Sequence, residues 1–356
     1  MRKRISILAM VSAAVLLPAA WSGGAALSQH VSDPIPALVR VLEVGKPVSH
    51  GNLTIVPVYT RRTMDRTSYV TLEDALKAGT LEITEVDGGR VPQVKISNLS
   101  KNVLFLMAGE ILTGGKQDRI LAQDVLLAPG TRNLLVPVYC VEQGRWAVQS
   151  AVFGSKENLG TYGLRAKAAE RAPAAQSQIW DEVQAQNRAL EVTSGTSAYQ
   201  AAFDKEENKA AIGEIEKKMK DGLRLDEDTV GVVIGLGDRV IGADIFANAH
   251  LFKKQWPKIL KSSALSSLHE KVRGELSRET AAEFLKSFAG RDYARKPALD
   301  LGYELESGGG TAMVKALVYR EAVIHLAGFP QGPERRKVVE SPEQRMPVIR
   351  SPERMR

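Results

Sequence analysis

Two short stretches concentrate the side chains that do chemistry. GEILTGGKQDR runs from Gly109 to Arg119, and VEQGRW runs from Val141 to Trp146. Each follows an apolar run, VLFLMA before the first and LLVPVYC before the second. Strand alternation puts Glu110 on one face with Leu104, Leu106, Ala108 and Leu112. A carboxylate on an apolar face must be paired, protonated or used, because burying it bare is costly. Lys116, Arg119 and Arg145 are the cations that would pair with it. Gly114 and Gly115 let successive backbone N–H groups converge, and with Lys116 and Arg119 such a nest holds an anion. Glu142 and Trp146 add a second acid and a stacking or capping surface.

Three readings of this cluster stay open. As a ligand cradle, it uses the cations and N–H groups to hold a small anionic or sugar- or nucleotide-derived molecule. As a hydrolase, it draws an acid and a base from Glu110, Asp118 and Glu142 for a glycosidic or phosphoester bond, provided they face one another across a substrate's width. As a structural device, it pairs Glu110 with an arginine, caps the turn with Asp118 and plugs the core with Trp146. Whether the chain is an enzyme is undecided by its sequence.

Other chemistries lack their signatures. There is no GxSxG elbow, SxxK, HExxH or CxxC. The five histidines are scattered, with no i, i+4 pair to hold a metal, so neither a metal nor a cofactor is expected. GGK at 114–116 lacks the Ser/Thr and leading glycine of a phosphate loop. The single cysteine, Cys140, sits in a run that is apolar on both faces and reads as a buried, inert thiol.

The elements that position these residues predict an α+β fold. The N-terminal half, 37–150, reads as β-rich. Its strands include LEITEV and VPQVKIS about an Asp87-Gly88-Gly89 turn, and TLEDALKAG is a short helix capped by Thr71 and Gly79. Residues 151–329 supply mixed helices and a smaller antiparallel sheet. Two helices are expected over 162–190, broken at Pro173. A longer helix from Ser197 has Tyr199, Phe203, Ala211, Ile215 and Met219 on one face. VGVVIGLGDRVIGA folds as two strands about Gly237-Asp238, and a helix through Trp256 is kinked by Pro257. Residues 37–329 are read as one domain.

The two ends read differently. Arg2, Lys3 and Arg4 precede an apolar run and small residues ending at Ser28, the pattern of a secretory signal peptide over 1–28 cut near Gln29. Residues 29–36 then form a linker, and the protein is expected to be secreted or periplasmic, with no membrane insertion after cleavage. The segment 330–356 is rich in proline and charge and is expected to be disordered. These ends carry most of the net charge of +7, leaving the body near neutral, so nucleic acid is not an expected partner.

AGEILTGGKQDR followed by VPVYCVEQGRW resembles the paired signature of the domain family named for its association with ADP-ribosylglycohydrolase, rhodanese and phosphatase proteins. SQIWDEV, TSAYQAAF and GVVIGLGDRVIGADIFANAHLFKKQWPKIL resemble its downstream blocks, so the likeness spans roughly Pro36 to Phe329. The matching positions are Gly109, Glu110, Gly114, Gly115, Gln117, Asp118, Arg119, Glu142, Gly144, Arg145 and Trp146. The family's name implies a link to nucleotide or ADP-ribose metabolism through genomic company rather than a reaction. An exported member would meet other ligands, such as a sugar phosphate or an envelope polymer.

Overall fold

A computed structural model describes residues 34–62, 65–86, 92–270 and 272–332. The expected signal peptide, the Asp87–Gly89 turn and the tail from Pro333 onward lie outside these residues. Among the described residues, eight helices and seventeen strands make an α+β fold with antiparallel sheets. None of the described helices is long and apolar enough to cross a membrane.

The sheet sizes differ from expectation. The C-terminal strands belong to the larger, nine-stranded sheet, because Leu53–Tyr59 from the N-terminal half pairs with Thr229–Leu236 and extends it. Beyond that pair come Arg239–Phe246, Ala322–Pro330, Ala312–Tyr319, Tyr303–Ser307 and Ala294–Pro297. A six-stranded sheet runs Gly154–Leu159, Glu110–Thr113, Arg119–Leu121, Leu134–Cys140, Gln93–Asn98 and Leu81–Glu85. The expected linker is also shorter than read, since Pro34–Val39 is helical and buries Ile35.

Local signals explain most boundaries. Thr71 accepts from the Asp74 N–H while Asp74 accepts from the Thr71 N–H, a capping box that starts the helix Leu72–Lys77. Gly79 follows at φ +64°, a value only glycine adopts freely. The helices Tyr162–Glu170 and Ala175–Ala189 flank Pro173, with Arg171 in the left-handed region between them at φ 50°. The helix expected from Ser197 begins later, as the short turn Ala201–Asp204 and then Glu206–Gly222. The helix Ala249–His269 runs through Pro257 without ending.

One expected strand is two. The run VLFLMAGEIL breaks at Met107–Gly109, where the Glu110 N–H donates to the Met107 carbonyl. Leu104–Leu106 pairs with Val125–Leu127, whereas Glu110–Thr113 enters the six-stranded sheet. Gly109 makes the turn at φ +95°.

The layers are held by three apolar clusters. The inner face of the large sheet packs on the six-stranded sheet and long helices through residues such as Phe105, Ile111, Ile120, Leu317 and Phe329. Its outer face is covered by Ile35, Leu38, Ala281 and Leu285. A third cluster, with Leu72, Ile83, Leu112 and Val138, fills the far side of the six-stranded sheet.

Candidate functional site

The loop between Glu110–Thr113 and Arg119–Leu121 meets the segment after Leu134–Cys140, so the two motifs do touch. Arg145 is the hinge of the contact. Its Nε donates to Glu142 Oε2 at 2.8 Å, and its Nη2 lies 2.6 Å from the same oxygen and 3.0 Å from Asp118 Oδ1. Its Nη1 donates to the Gly115 carbonyl at 2.9 Å, and its Nη2 to the Gly114 carbonyl at 3.4 Å. Gly114 and Gly115 take φ +126° and +53° to make this loop. The expected anion nest is therefore reversed. The glycines turn carbonyls toward an internal cation, and the Gly114 N–H is spent on Asp118 Oδ1 at 3.0 Å.

The remaining motif residues mostly brace this core. Gln117 donates from Nε2 to the Glu142 carbonyl at 2.7 Å. The Lys116 N–H donates to Glu85 Oε1 at 2.7 Å, while its ammonium stands 5.1 Å over the Trp146 ring. Trp146 does not plug the core; it is 57% exposed. Arg119 does not reach a cleft either. It is buried, donates to Cys140 Sγ at 2.9 Å, and lies 3.7 Å from Glu85. Burial pushes the Cys140 thiol up to about 11, in keeping with an inert thiol.

Glu110 stands apart from the second motif. Its carboxylate takes the Lys258 ammonium on Oε1 and the Met107 N–H on Oε2 at 3.1 Å. Lys258 also holds Glu73 at 2.7 Å. Burial pushes the Glu110 pKa up to about 7 even against the Lys258 charge. None of the three cations expected to pair with Glu110 does so, and Lys258 was hidden because it arrives from a helix 148 residues away.

Asp118 and Glu142 face a cleft of about 430 Å³, whose wall also includes Thr113, Gln200, Lys156 and Asp204. Glu142 is fully engaged, with Thr196 donating to Oε1 at 2.8 Å and Arg145 and the Asp118 N–H donating to Oε2. These hydrogen bonds outweigh burial and hold it below the usual carboxylate range. Burial, with Glu142 close by, raises Asp118. Asp118 uses only Oδ1; among the described residues nothing donates to its Oδ2. Across the wall Lys156 pairs with Asp204 at 3.0 Å.

A second polar cluster was not anticipated from the sequence. On the inner face of the large sheet, Asp244, Ala327, Lys315 and Glu306 stand in one row and Phe246, His325, Leu317 and Glu304 in the next. Asp244 has no exposure and takes both Arg165 Nη atoms at 2.9 and 2.6 Å, the Tyr162 hydroxyl at 2.5 Å, and His325 Nε2 at 3.1 Å. His325 Nδ1 lies 2.7 Å from Asp124, whose other oxygen takes the Ala108 N–H. Burial opposes charge on His325, but the two carboxylates win and raise it to about 9. The signal was a lone charged residue inside each apolar strand, AVIHLAGF, IGADIF and AMVKALVY.

Gly109 links this cluster to the first motif. A Cβ there would lie 2.5 Å from Cγ and 2.7 Å from Cδ of Arg165, whose guanidinium Asp244 fixes. The side chain cannot swing clear, and φ +95° disfavours any L residue. Gly109→Ala is therefore expected to lose about 2 kcal/mol or more of unfolding free energy in urea titration. A loss below about 0.5 kcal/mol would show that Arg165 is free to move.

No curated protein and no solved structure matches this chain. Residues 41–329, which include both motifs and the buried cluster behind them, match the ARG and Rhodanese-Phosphatase-superfamily-associated Protein domain, and the chain belongs to that family.

Proposed function

We propose that this protein is a binding module for a neutral, hydroxyl-rich ligand such as a sugar, held in the cleft at Asp118. The observation that carries this is Asp118 Oδ2, an acceptor with no donor among the described residues, on a wall where Glu142, Ser150, Lys156, Gln200 and Asp204 are already engaged. Of the ligands expected from the sequence, the anionic ones fit least well. Arg145 is consumed by Glu142, Asp118 and the glycine carbonyls, Arg119 is buried elsewhere, and the cleft wall carries three carboxylates against one lysine. Sugar hydroxyls donate to carboxylates and amides of this kind without a charge to repel. The export pattern at residues 1–28 supports placing this binding outside the cytoplasm.

A second reading is favoured by one observation. Asp118 and Glu142 are both within hydrogen-bond distance of one Arg145 nitrogen, and their environments push their pKa values in opposite directions. That is the division of labour of an acid and a base. Binding leads because both Glu142 oxygens already have donors. Glu110, held by Lys258, takes no part in either reading.

The test uses Asp118→Asn, which keeps an acceptor at Oδ1 for Gly114 and Arg145 and replaces the open oxygen with a donor. Thermal midpoints would be recorded with neutral glycans, sugar phosphates and ADP-ribose. A bound glycan is expected to stabilise the wild type, by about 2.7 kcal/mol at a hundredfold excess over its dissociation constant. Asp118→Asn is expected to lose that shift while melting near the wild type without ligand. A response to the anionic compounds alone would sink the proposal, and cleavage of the bound glycan would convert it to the hydrolase reading.

A further inference from the structure

The rows of charge on the inner face of the large sheet end at a narrow cavity away from the Asp118 cleft. Its walls are small and apolar, with Ala108, Ala122, Ala169 and Ala327 contributed by four separate segments. It offers about 30 Å³ to solvent centres, room for about two or three waters and hence for a molecule of about that many heavy atoms. Four alanines converging beside charged side chains leave a space that larger residues would have filled.

The charges at its rim do not balance. Glu306 is shared by Arg171, by Lys296 at 2.6 Å and by Lys315 at 3.2 Å. Glu304 takes Arg171 at 2.8 Å and the Gln123 amide at 2.6 Å. Asp124, the remaining acid in the wall, is already occupied by His325 and the Ala108 N–H. Three cations therefore share two carboxylates within ion-pair distance, and Glu170 acts on Lys315 only from further away. Arg171 keeps its proton at any physiological pH. Lys296 is 55% exposed and water solvates its charge. Lys315 is the least exposed of the three, its side chain 21% open to solvent against 27% for Arg171. Burial first, then Arg171 and Lys296, push it down to about 8, against the pull of Glu304 and Glu170.

We propose that Lys315 is a nucleophilic amine that forms a reversible imine with a small uncharged aldehyde admitted by this cavity. Lys315 gives its proton to Glu306, and the free amine adds to the carbonyl carbon as the C=O π bond breaks. Protons returned through Glu306 allow the carbinolamine to expel water as the C=N bond forms. The balance is aldehyde plus amine to imine plus water, with no oxidant or reductant consumed. A lysine desolvated beside other cations is an established way to make an amine reactive at neutral pH. The apolar walls and the mutually paired rim select an uncharged substrate, and the volume selects a short one.

The experiment treats the full-length protein with acetaldehyde and cyanoborohydride at neutral pH and maps the alkylated lysines by peptide mass spectrometry. Lys217 and Lys218, both exposed, serve as internal standards. Lys315 is expected to be labelled about tenfold faster or more than either. Pyridoxal, too bulky for the cavity, is expected to label it no faster than the standards. Glu306→Gln is expected to slow the Lys315 reaction with the two standards unchanged. Labelling of Lys315 at the rate of Lys217 would overturn the proposal. Equal acceleration by acetaldehyde and pyridoxal would also overturn it, by showing a reactive amine without a site.

Discussion

Asp244→Ala is expected to cost about 3–5 kcal/mol of unfolding free energy, the largest loss of any single side-chain truncation argued from this fold. The magnitude comes from what stays behind. Arg165, itself 2% exposed, loses the acceptor of both its Nη atoms, and its Nε already has no partner among the described residues. His325 loses one of its two carboxylates and the Tyr162 hydroxyl loses its acceptor. Two buried cations and a hydroxyl would then face an apolar core that includes Phe246 and Phe329. Truncating one partner of a buried pair costs far more than the pair contributes over an apolar replacement, because the survivors are desolvated and unpaired. Urea titration measures this directly as a fall in the midpoint at unchanged slope. Lys156→Ala, which breaks a half-exposed pair with Asp204, should change stability by under about 1 kcal/mol in the same assay. A loss below about 1 kcal/mol for Asp244→Ala would mean that water enters and solvates the network.

How far the sequence carried this fold depends on the range of the signal. Caps and turns are local, and they were legible. Thr71 with Asp74, Gly79, the break at Pro173 and the Gly237-Asp238 hairpin all act within a few residues, so their chemistry can be read directly. The run VLFLMAGEIL misled because alternation counts only within one strand. Gly109 turns the chain, and Glu110 starts a new strand in another sheet. The burial of Glu110 was still foreseeable from its apolar neighbours; its partner was not, since Lys258 lies on the helix Ala249–His269. Whether the two motifs meet was not legible in the sequence, and the direction of the glycine loop was read the wrong way round. Whether Gly114 and Gly115 offer N–H groups or carbonyls depends on Arg145, thirty-one and thirty residues on, filling the loop from inside. The buried polar layer is the plainest lesson. His325, Asp244 and Lys315 each interrupt an apolar strand, a mark of a paired or functional group. Only the register of two hairpins and one long-range strand pair shows that they share two adjacent rows.

That layer makes stability fall as pH rises above neutrality, and His325 is the group responsible. Its folded pKa is raised to about 9 from an ordinary value near 6.5. The folded state therefore holds a proton that the unfolded state releases first. The stabilisation is fully present below about pH 6.5 and is lost as pH rises through about 9, an amount on the order of 3 kcal/mol. Lysines and tyrosines titrate in the same range, so the wild type alone does not isolate it. The decisive quantity is the difference from His325→Gln, measured by urea titration at about pH 6 and about pH 10. Every other group is common to both proteins, and the difference should shrink by about 3 kcal/mol across that interval. Curves that stay parallel would show that the His325 ring holds no extra proton in the folded state. The charged form is the better account because Asp244 and Asp124 flank opposite ring nitrogens at 3.1 and 2.7 Å. With both carboxylates ionised, an imidazole has a proton for only one of those contacts, whereas an imidazolium satisfies both.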